Sequence, residues 1–205
     1  MYDRLVSDRS VVDSDASFPR LVSLAAHDLR TPLATIHGFA QTLVRMGDLG
    51  EPKQRYMEMI DSAALQLAEL LDELGVAARI EGGRYEPALQ PADTLELARG
   101  AAEELGGERV AVSGRGAEVQ VDVEATQRGV SALAQAALRH GGLEQIVLRV
   151  DGPMLAISPV TPSSGPVVLG EELRDLGAAV AVIVIRALGG SVAVNDDTLA
   201  VKLPE

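Results

Sequence analysis

The most constraining feature of this 205-residue chain is a pair of long stretches in which apolar side chains recur every three or four residues. That spacing is typical of helices that bury one face. Ser17 and Pro19 predict the start of the first helix, because serine caps helices and proline suits a first turn. The helix should run to about Met46, and turn-forming residues 47–52 separate it from a second helix that two glycines at 82–83 end. The apolar positions are Leu21, Leu24, Ala25, Leu29, Leu33, Ile36, Ala40, Leu43 and Val44, then Tyr56, Met59, Ile60, Ala63, Leu67, Leu70, Leu71 and Leu74.

Two long helices joined by a short turn form an antiparallel hairpin, which cannot bury a wide apolar stripe by itself. The usual solution is a four-helix bundle, and the chain supplies only half of one. The pattern therefore predicts a homodimer. The alternative is that the stripe packs against the rest of the same chain.

Composition excludes several kinds of function. The chain has no cysteine, which rules out thiolate metal sites and cysteine catalysis, and its three histidines lie far apart, so we expect no metal site. A net charge of -12 disfavours nucleic acid as a partner. No apolar run is long enough to span a membrane, and the first residues lack the layout of a signal peptide. These features predict a soluble, cytoplasmic protein.

The second half of the chain has the pattern of an α+β domain. Helices are predicted over residues 93–105, 124–139 and 173–188, and a loop over residues 159–170. Short alternating segments predict strands at 109–112, 118–121, 146–150, 154–157, 192–194 and 199–201. Such an order predicts a small mixed or antiparallel sheet with helices on one face.

His27 is the best candidate in this sequence for a reactive side chain. A neutral imidazole can attack a phosphoryl group, and the adjacent Asp28 can hold the proton of one ring nitrogen while the other stays free. Thr31 lies one turn further along the same face, where its hydroxyl could orient a water for the reverse, hydrolytic reaction. Pro32 leaves the carbonyl of Asp28 without a helical donor, which should bend the helix here.

The string His27-Asp28-Leu29-Arg30-Thr31-Pro32-Leu33 resembles the H-box of the HisKA family of two-component histidine kinases. The similarity covers the whole hairpin, from Phe18 to about Glu81. It implies that His27 accepts the phosphoryl group and that Asp28 is its acidic partner. It also implies that Thr31 serves dephosphorylation of a response regulator and that Arg30 lies near the phosphoryl group. The hairpin would then be a dimerisation and histidine-phosphotransfer domain.

The second half is similar in outline to the ATP-binding domain of such kinases, but its motifs differ. The position of the family's magnesium-binding asparagine holds Ala136, preceded by Gln135, when one counts back from His140. The family's adenine-reading aspartate follows a strand, whereas here residues 155–157 run into Ser158-Pro159-Val160-Thr161-Pro162.

The phosphate-binding segment also differs. In the family, backbone N–H groups at a helix start meet the phosphates. Gly177 is the one glycine that remains of that segment, and no phenylalanine follows Phe39 to serve a nucleotide lid. We therefore expect no cofactor, with ATP and magnesium used only if the chain is an active kinase.

These features lead to one hypothesis and two alternatives. Residues 1–16 are expected to be a flexible arm, 17–82 the phosphotransfer hairpin and 83–205 a degenerate ATPase-like domain. The protein would carry a phosphoryl group on His27 and exchange it with receiver domains, with an upstream histidine kinase as a further partner. The alternatives are an ATP-dependent kinase core and a non-catalytic dimer that sequesters a response regulator. His37 is expected to pack on the hairpin's apolar face and His140 to end a helix beside its negative pole.

Overall fold

A computed structural model describes residues 10–46 and 52–204, and it confirms the two long helices. Helix α1 comprises Ser10–Met46 and α2 comprises Pro52–Glu81. The expectation that Ser17 begins α1 was wrong. Serine and aspartate cost a helix only about 0.5 kcal/mol per residue relative to alanine, so polar residues before Ser17 need not end it. Residues 1–9 of the expected arm and residues 47–51 of the expected turn lie outside the described residues.

The chain divides into two compact units between Gly75 and Val76, within α2. In the first unit the ring of Phe39, near the end of α1, stacks on Tyr56, near the start of α2, with centroids 5.3 Å apart. This contact is the one expected for an antiparallel hairpin. The buried side chains here are few, and large apolar side chains remain exposed at Val22, Leu33, Met57, Met59, Leu65 and Leu71.

The second unit is an α+β domain, as predicted. Its strands are β1 (Leu89–Asp93), β2 (Val110–Gly116), β3 (Glu118–Asp122), β4 (Ile146–Gly152), β5 (Met154–Ser158), β6 (Ser191–Asn195) and β7 (Thr198–Lys202). Its helices are α3 (Thr94–Glu104), α4 (Val123–Gly141), the short α5 (Gly165–Val168) and α6 (Leu176–Ala187).

The strands form a mixed sheet and a separate pair. The five-stranded sheet has the order β2-β4-β5-β7-β6, and its β2-β4 pair is parallel while its other pairs are antiparallel. Strands β1 and β3 form an antiparallel pair. Alternate residues of β4 and β7 are buried, as in Leu148 and Leu199, which lie in one core with side chains of α3, α4 and α6. This burial on one face is what the alternating sequence predicts.

Three details differ from the expectations. Strand β1 was not predicted. It contains Pro91, which is tolerated there because a two-stranded sheet has only edge strands. The loop at 159–170 contains α5, which begins beside Pro166. Helix α6 begins at Leu176 rather than at 173, because Asp175 caps it.

An aspartate precedes each long helix of the second unit. The side chain of Asp93 accepts from the N–H of Leu95 at the start of α3. Asp122 and Asp175 accept in the same way at the starts of α4 and α6. Each such cap contributes about 1 kcal/mol to stability. Among the described helices, none has the length and apolar content that crossing a membrane requires.

Candidate functional site

His27 lies on α1 with its ring open to solvent. Its side chain is 75% exposed, whereas that of Asp28 is 26% exposed. The ring Nδ1 lies 3.0 Å from Oδ1 of Asp28. Since a carboxylate can only accept, this contact places the proton of a neutral ring on Nδ1. The lone pair of Nε2 is then free to attack an electrophile from solvent.

The other residues of the H-box string lie on the same helix. Arg30 and Thr31 are exposed, and Pro32 is buried. Helix α1 continues through Pro32 to Met46. The backbone carbonyl of Thr31 accepts from the hydroxyl of Thr35, 3.1 Å away, while the exposed hydroxyl of Thr31 lies one turn from His27.

A groove of about 520 Å³ begins one turn beyond His27, between α1 and α2. Its lining combines hydroxyl, amide and charged groups with a few apolar side chains. The lining residues are Thr31, Pro32 and Thr35 of α1 and Arg55, Glu58, Met59, Ser62, Ala63 and Gln66 of α2. The groove can therefore hold a mixed polar and apolar protein surface one helical turn along α1 from His27.

His37, the second histidine of α1, does not have the packing role expected of it. It is exposed, and its Nε2 lies 2.7 Å from the side-chain nitrogen of Gln41, which donates to it. The expectation was wrong for the single chain, because the ring of His37 is exposed rather than packed against α2. His37 and His27 are thus both exposed histidines of one helix, but only His27 has a carboxylate partner among the contacts described.

The residues expected to mark a nucleotide site lie in the second unit. Ala136 is completely buried in the core, and its neighbour Gln135 is exposed on α4. Strand β5 ends at Ser158, and the N–H of Val160 donates to the carbonyl of Asp197, 2.6 Å away. Magnesium requires oxygen ligands, and the methyl group at position 136 supplies none.

Asp175, at the start of α6, was missed by sequence reasoning. Its Oδ1 accepts from the N–H of Ala178 at 3.1 Å, and its Oδ2 lies 3.0 Å from Nε2 of His140 and 3.2 Å from Nη1 of Arg139. The side chain of Asp175 is 10% exposed and that of His140 is 16% exposed. An aspartate directly before an apolar run is a cap signal that could have located the helix start. The partner His140 is 35 residues away, and no local pattern predicts that contact.

Tyr85 forms a second polar centre, close to the start of α4. Burial of its side chain raises the pKa of the phenol, and the carboxylate of Asp122 raises that pKa further, while Arg79 lowers it. The hydroxyl is buried and lacks a hydrogen-bond partner within the described part of the chain. Asp122 also accepts from the N–H groups of Ala88 and Ala125, at 3.0 and 3.1 Å. Asp122 therefore ties the segment after α2 to α4.

Comparisons with known proteins agree with the hairpin site. Residues 20–83 match the family described as the His Kinase A (phospho-acceptor) domain. The probable sensor histidine kinase TcrY of Mycobacterium tuberculosis is 34% identical over 71 residues, which are 35% of this chain and 15% of TcrY. An uncharacterized sensor-like histidine kinase of Rhizobium meliloti is 28% identical over 174 residues, which are 77% of this chain and 32% of that protein. The chain thus spans well under half the length of these relatives.

The fold is also similar to that of a solved histidine kinase. The histidine kinase AdeS of Acinetobacter baumannii superposes with a TM-score of 0.67 and 17% identity, over 87% of this chain and 98% of that one. At such low identity the likeness concerns the fold alone. Residues 20–83 thus match the His Kinase A (phospho-acceptor) domain, and the described part of the chain has the fold of a histidine kinase core.

Proposed function

We propose that this protein carries a phosphoryl group on His27 and exchanges it, in the cytoplasm, with receiver domains of response regulators. The observation that supports this most is the contact between His27 and Asp28, which leaves an exposed Nε2 free in a phospho-acceptor domain. Nε2 would attack the phosphorus of an aspartyl phosphate on the receiver. An N–P bond forms, the acyl P–O bond breaks, and the receiver's aspartate leaves as a carboxylate.

The residues around His27 have distinct roles in this proposal. The ring becomes cationic when Nε2 is phosphorylated, and the carboxylate of Asp28 stabilises that charge through the proton on Nδ1. Arg30 lies on the same exposed stretch of α1 and would interact with the phosphoryl oxygens. Thr31 would orient a water for hydrolysis of the phosphorylated receiver. The groove between α1 and α2, which begins at Thr31, would hold the receiver's surface.

The hairpin would act as a homodimer. Among the described side chains of the hairpin, six large apolar ones are exposed in the single chain, including Leu33, Leu65 and Leu71 at 50–59%. Exposed apolar surface of this kind is costly unless a partner covers it. A second copy would add two helices and complete a four-helix bundle.

The second unit lacks the groups with which a kinase of this fold would be expected to bind ATP and magnesium. Ala136 supplies no metal ligand and is buried in the core. The start of α6, where backbone N–H groups could meet phosphates, already holds the carboxylate of Asp175. We therefore propose that the phosphoryl group comes from a receiver domain, itself charged by an upstream kinase, and that no cofactor is needed.

Phosphotransfer from a charged receiver is the direct test. A receiver domain phosphorylated with labelled phosphate is mixed with the full chain, and label on His27 is followed by gel and by mass spectrometry. We expect label on the wild type and on His37→Ala, and none on His27→Ala. His37 is the matched control because it is the other exposed histidine of α1. Absence of label on the wild type from every receiver tested would contradict the proposal and favour a dimer that only sequesters a regulator.

An ATP-dependent kinase core is the second candidate. It is favoured by the alignment with the sensor-like histidine kinase of Rhizobium meliloti, because that alignment includes most of this chain. The test is incubation with labelled ATP and magnesium under the same conditions. Label on His27 in that arm would replace the proposal with the kinase.

A further inference from the structure

The end of α4 and the start of α6 meet at a single carboxylate. Among the described residues, Asp175 is the only charged side chain that is buried. Its two oxygens take three donors: the N–H of Ala178, the ring of His140 and the guanidinium of Arg139. A buried carboxylate is stable only when its oxygens are paired in this way.

The site around Asp175 is built for an anion. The start of a helix carries a partial positive charge, and its free N–H groups point outward. His140 and Arg139 approach the same point from α4. The hydroxyl of Ser163 donates to the carbonyl of His140, and Arg174 pairs with Glu172 nearby. The anion that this arrangement holds is the protein's own side chain.

We propose that Asp175 is an internal substitute for a nucleotide phosphate and excludes nucleotides from the second unit. A phosphate oxygen and the Asp175 carboxylate would compete for the same N–H and the same His140 ring. The carboxylate is part of the chain, so its effective concentration at α6 is high, and its negative charge repels a second anion. This inference rests on the proposed function, because it explains why the phosphoryl group must come from a protein donor.

Binding of inorganic tripolyphosphate to the full chain tests the inference. Calorimetry is carried out on the wild type, Asp175→Asn and Asp175→Ala. Asparagine keeps an oxygen that can cap Ala178 but removes the charge, so this variant should remain folded if the alanine variant does not. We expect no measurable binding to the wild type. We expect both variants to bind with a dissociation constant at least tenfold below the weakest that the calorimeter detects. Adding His140→Ala to either variant should abolish the gain.

Glu172→Gln is the matched control, because it removes one nearby negative charge without touching the contacts of Asp175. We expect it to behave as the wild type. The inference is overturned if the wild type binds tripolyphosphate, or if the Asp175 variants gain no more than Glu172→Gln does.

The proposed function and the role of Asp175 can be refuted independently of each other. Labelling of His27 by a charged receiver should be the same in the wild type and in Asp175→Asn. If receivers do not label His27 but the tripolyphosphate results are as expected, the proposed function is wrong and the role of Asp175 stands. If labelling succeeds and the Asp175 variants gain no binding, only the role of Asp175 is wrong.

Discussion

Replacing Asp175 with alanine should destabilise the second unit far more than removing a simple helix cap. The change removes the cap on Ala178, which is worth about 1 kcal/mol. It also leaves His140, whose side chain is 16% exposed, without its carboxylate partner. A hydrogen bond to a charged group contributes about 1.5–3 kcal/mol, so losing the contact with His140 adds about 2 kcal/mol. Arg139 is 60% exposed, so its contact adds little. The expected loss is about 3 kcal/mol.

Hydrogen exchange of the amides of α6 measures this loss in the full chain. Amides in the core of a helix exchange through the unfolding of the unit, so their rates report its stability. A loss of about 3 kcal/mol should accelerate exchange roughly 100-fold, since every 1.4 kcal/mol is a factor of ten. Asp93→Ala is the control, because Asp93 is an exposed cap of α3 with contacts only to the N–H groups of Leu95 and Glu96 among those described. That variant should lose about 1 kcal/mol. Equal acceleration in the two variants would refute a stabilising contribution of the contact between Asp175 and His140.

Three further changes have defined outcomes. Tyr85→Phe should cost nothing at pH 7, because the hydroxyl has no hydrogen-bond partner among the residues that the structure describes. The raised pKa of Tyr85 means that the wild type loses stability as pH rises above about 10. The variant should lose less in alkaline urea titrations, and an unchanged pH profile would contradict this. Asp28→Asn should slow labelling of His27 by a charged receiver about 100-fold, and an unaltered initial rate would exclude an electrostatic role for Asp28. The double variant Leu65→Glu and Leu71→Glu should sediment as a monomer, whereas Leu89→Glu on β1 should not change the oligomeric state.

Features with a short-range signal could be predicted from the sequence. The three-to-four spacing of apolar residues predicts α1 and α2. Alternation predicts β4 and β5, whose antiparallel pairing follows from the tight turn between them. The contact between His27 and Asp28 joins neighbouring residues, so the string itself predicts it.

Features that depend on distant residues could not be predicted. Strand β1 contains Pro91 and exists because it pairs with β3, which follows about 30 residues later. The parallel pairing of β2 with β4 depends on the intervening α4. The cap that Asp175 forms has a local signal, but its contact with His140 does not, because it joins the start of α6 to the end of α4. In such cases tertiary contacts, rather than local sequence preferences, determine the structure that a segment adopts.

The carboxylates of Asp28 and Asp175 differ in which hydrogen-bonding groups they leave free in the two units. This difference bears on the source of the phosphoryl group. In the hairpin, the carboxylate of Asp28 takes only one ring nitrogen of His27, so the other nitrogen remains available. In the second unit, the carboxylate of Asp175 takes the helix N–H, His140 and Arg139 together. A triphosphate needs several such hydrogen-bond donors at once, whereas a histidine that accepts a phosphoryl group needs one free ring nitrogen. This distribution of hydrogen-bond donors supports our proposal that the phosphoryl group comes from another protein rather than from ATP.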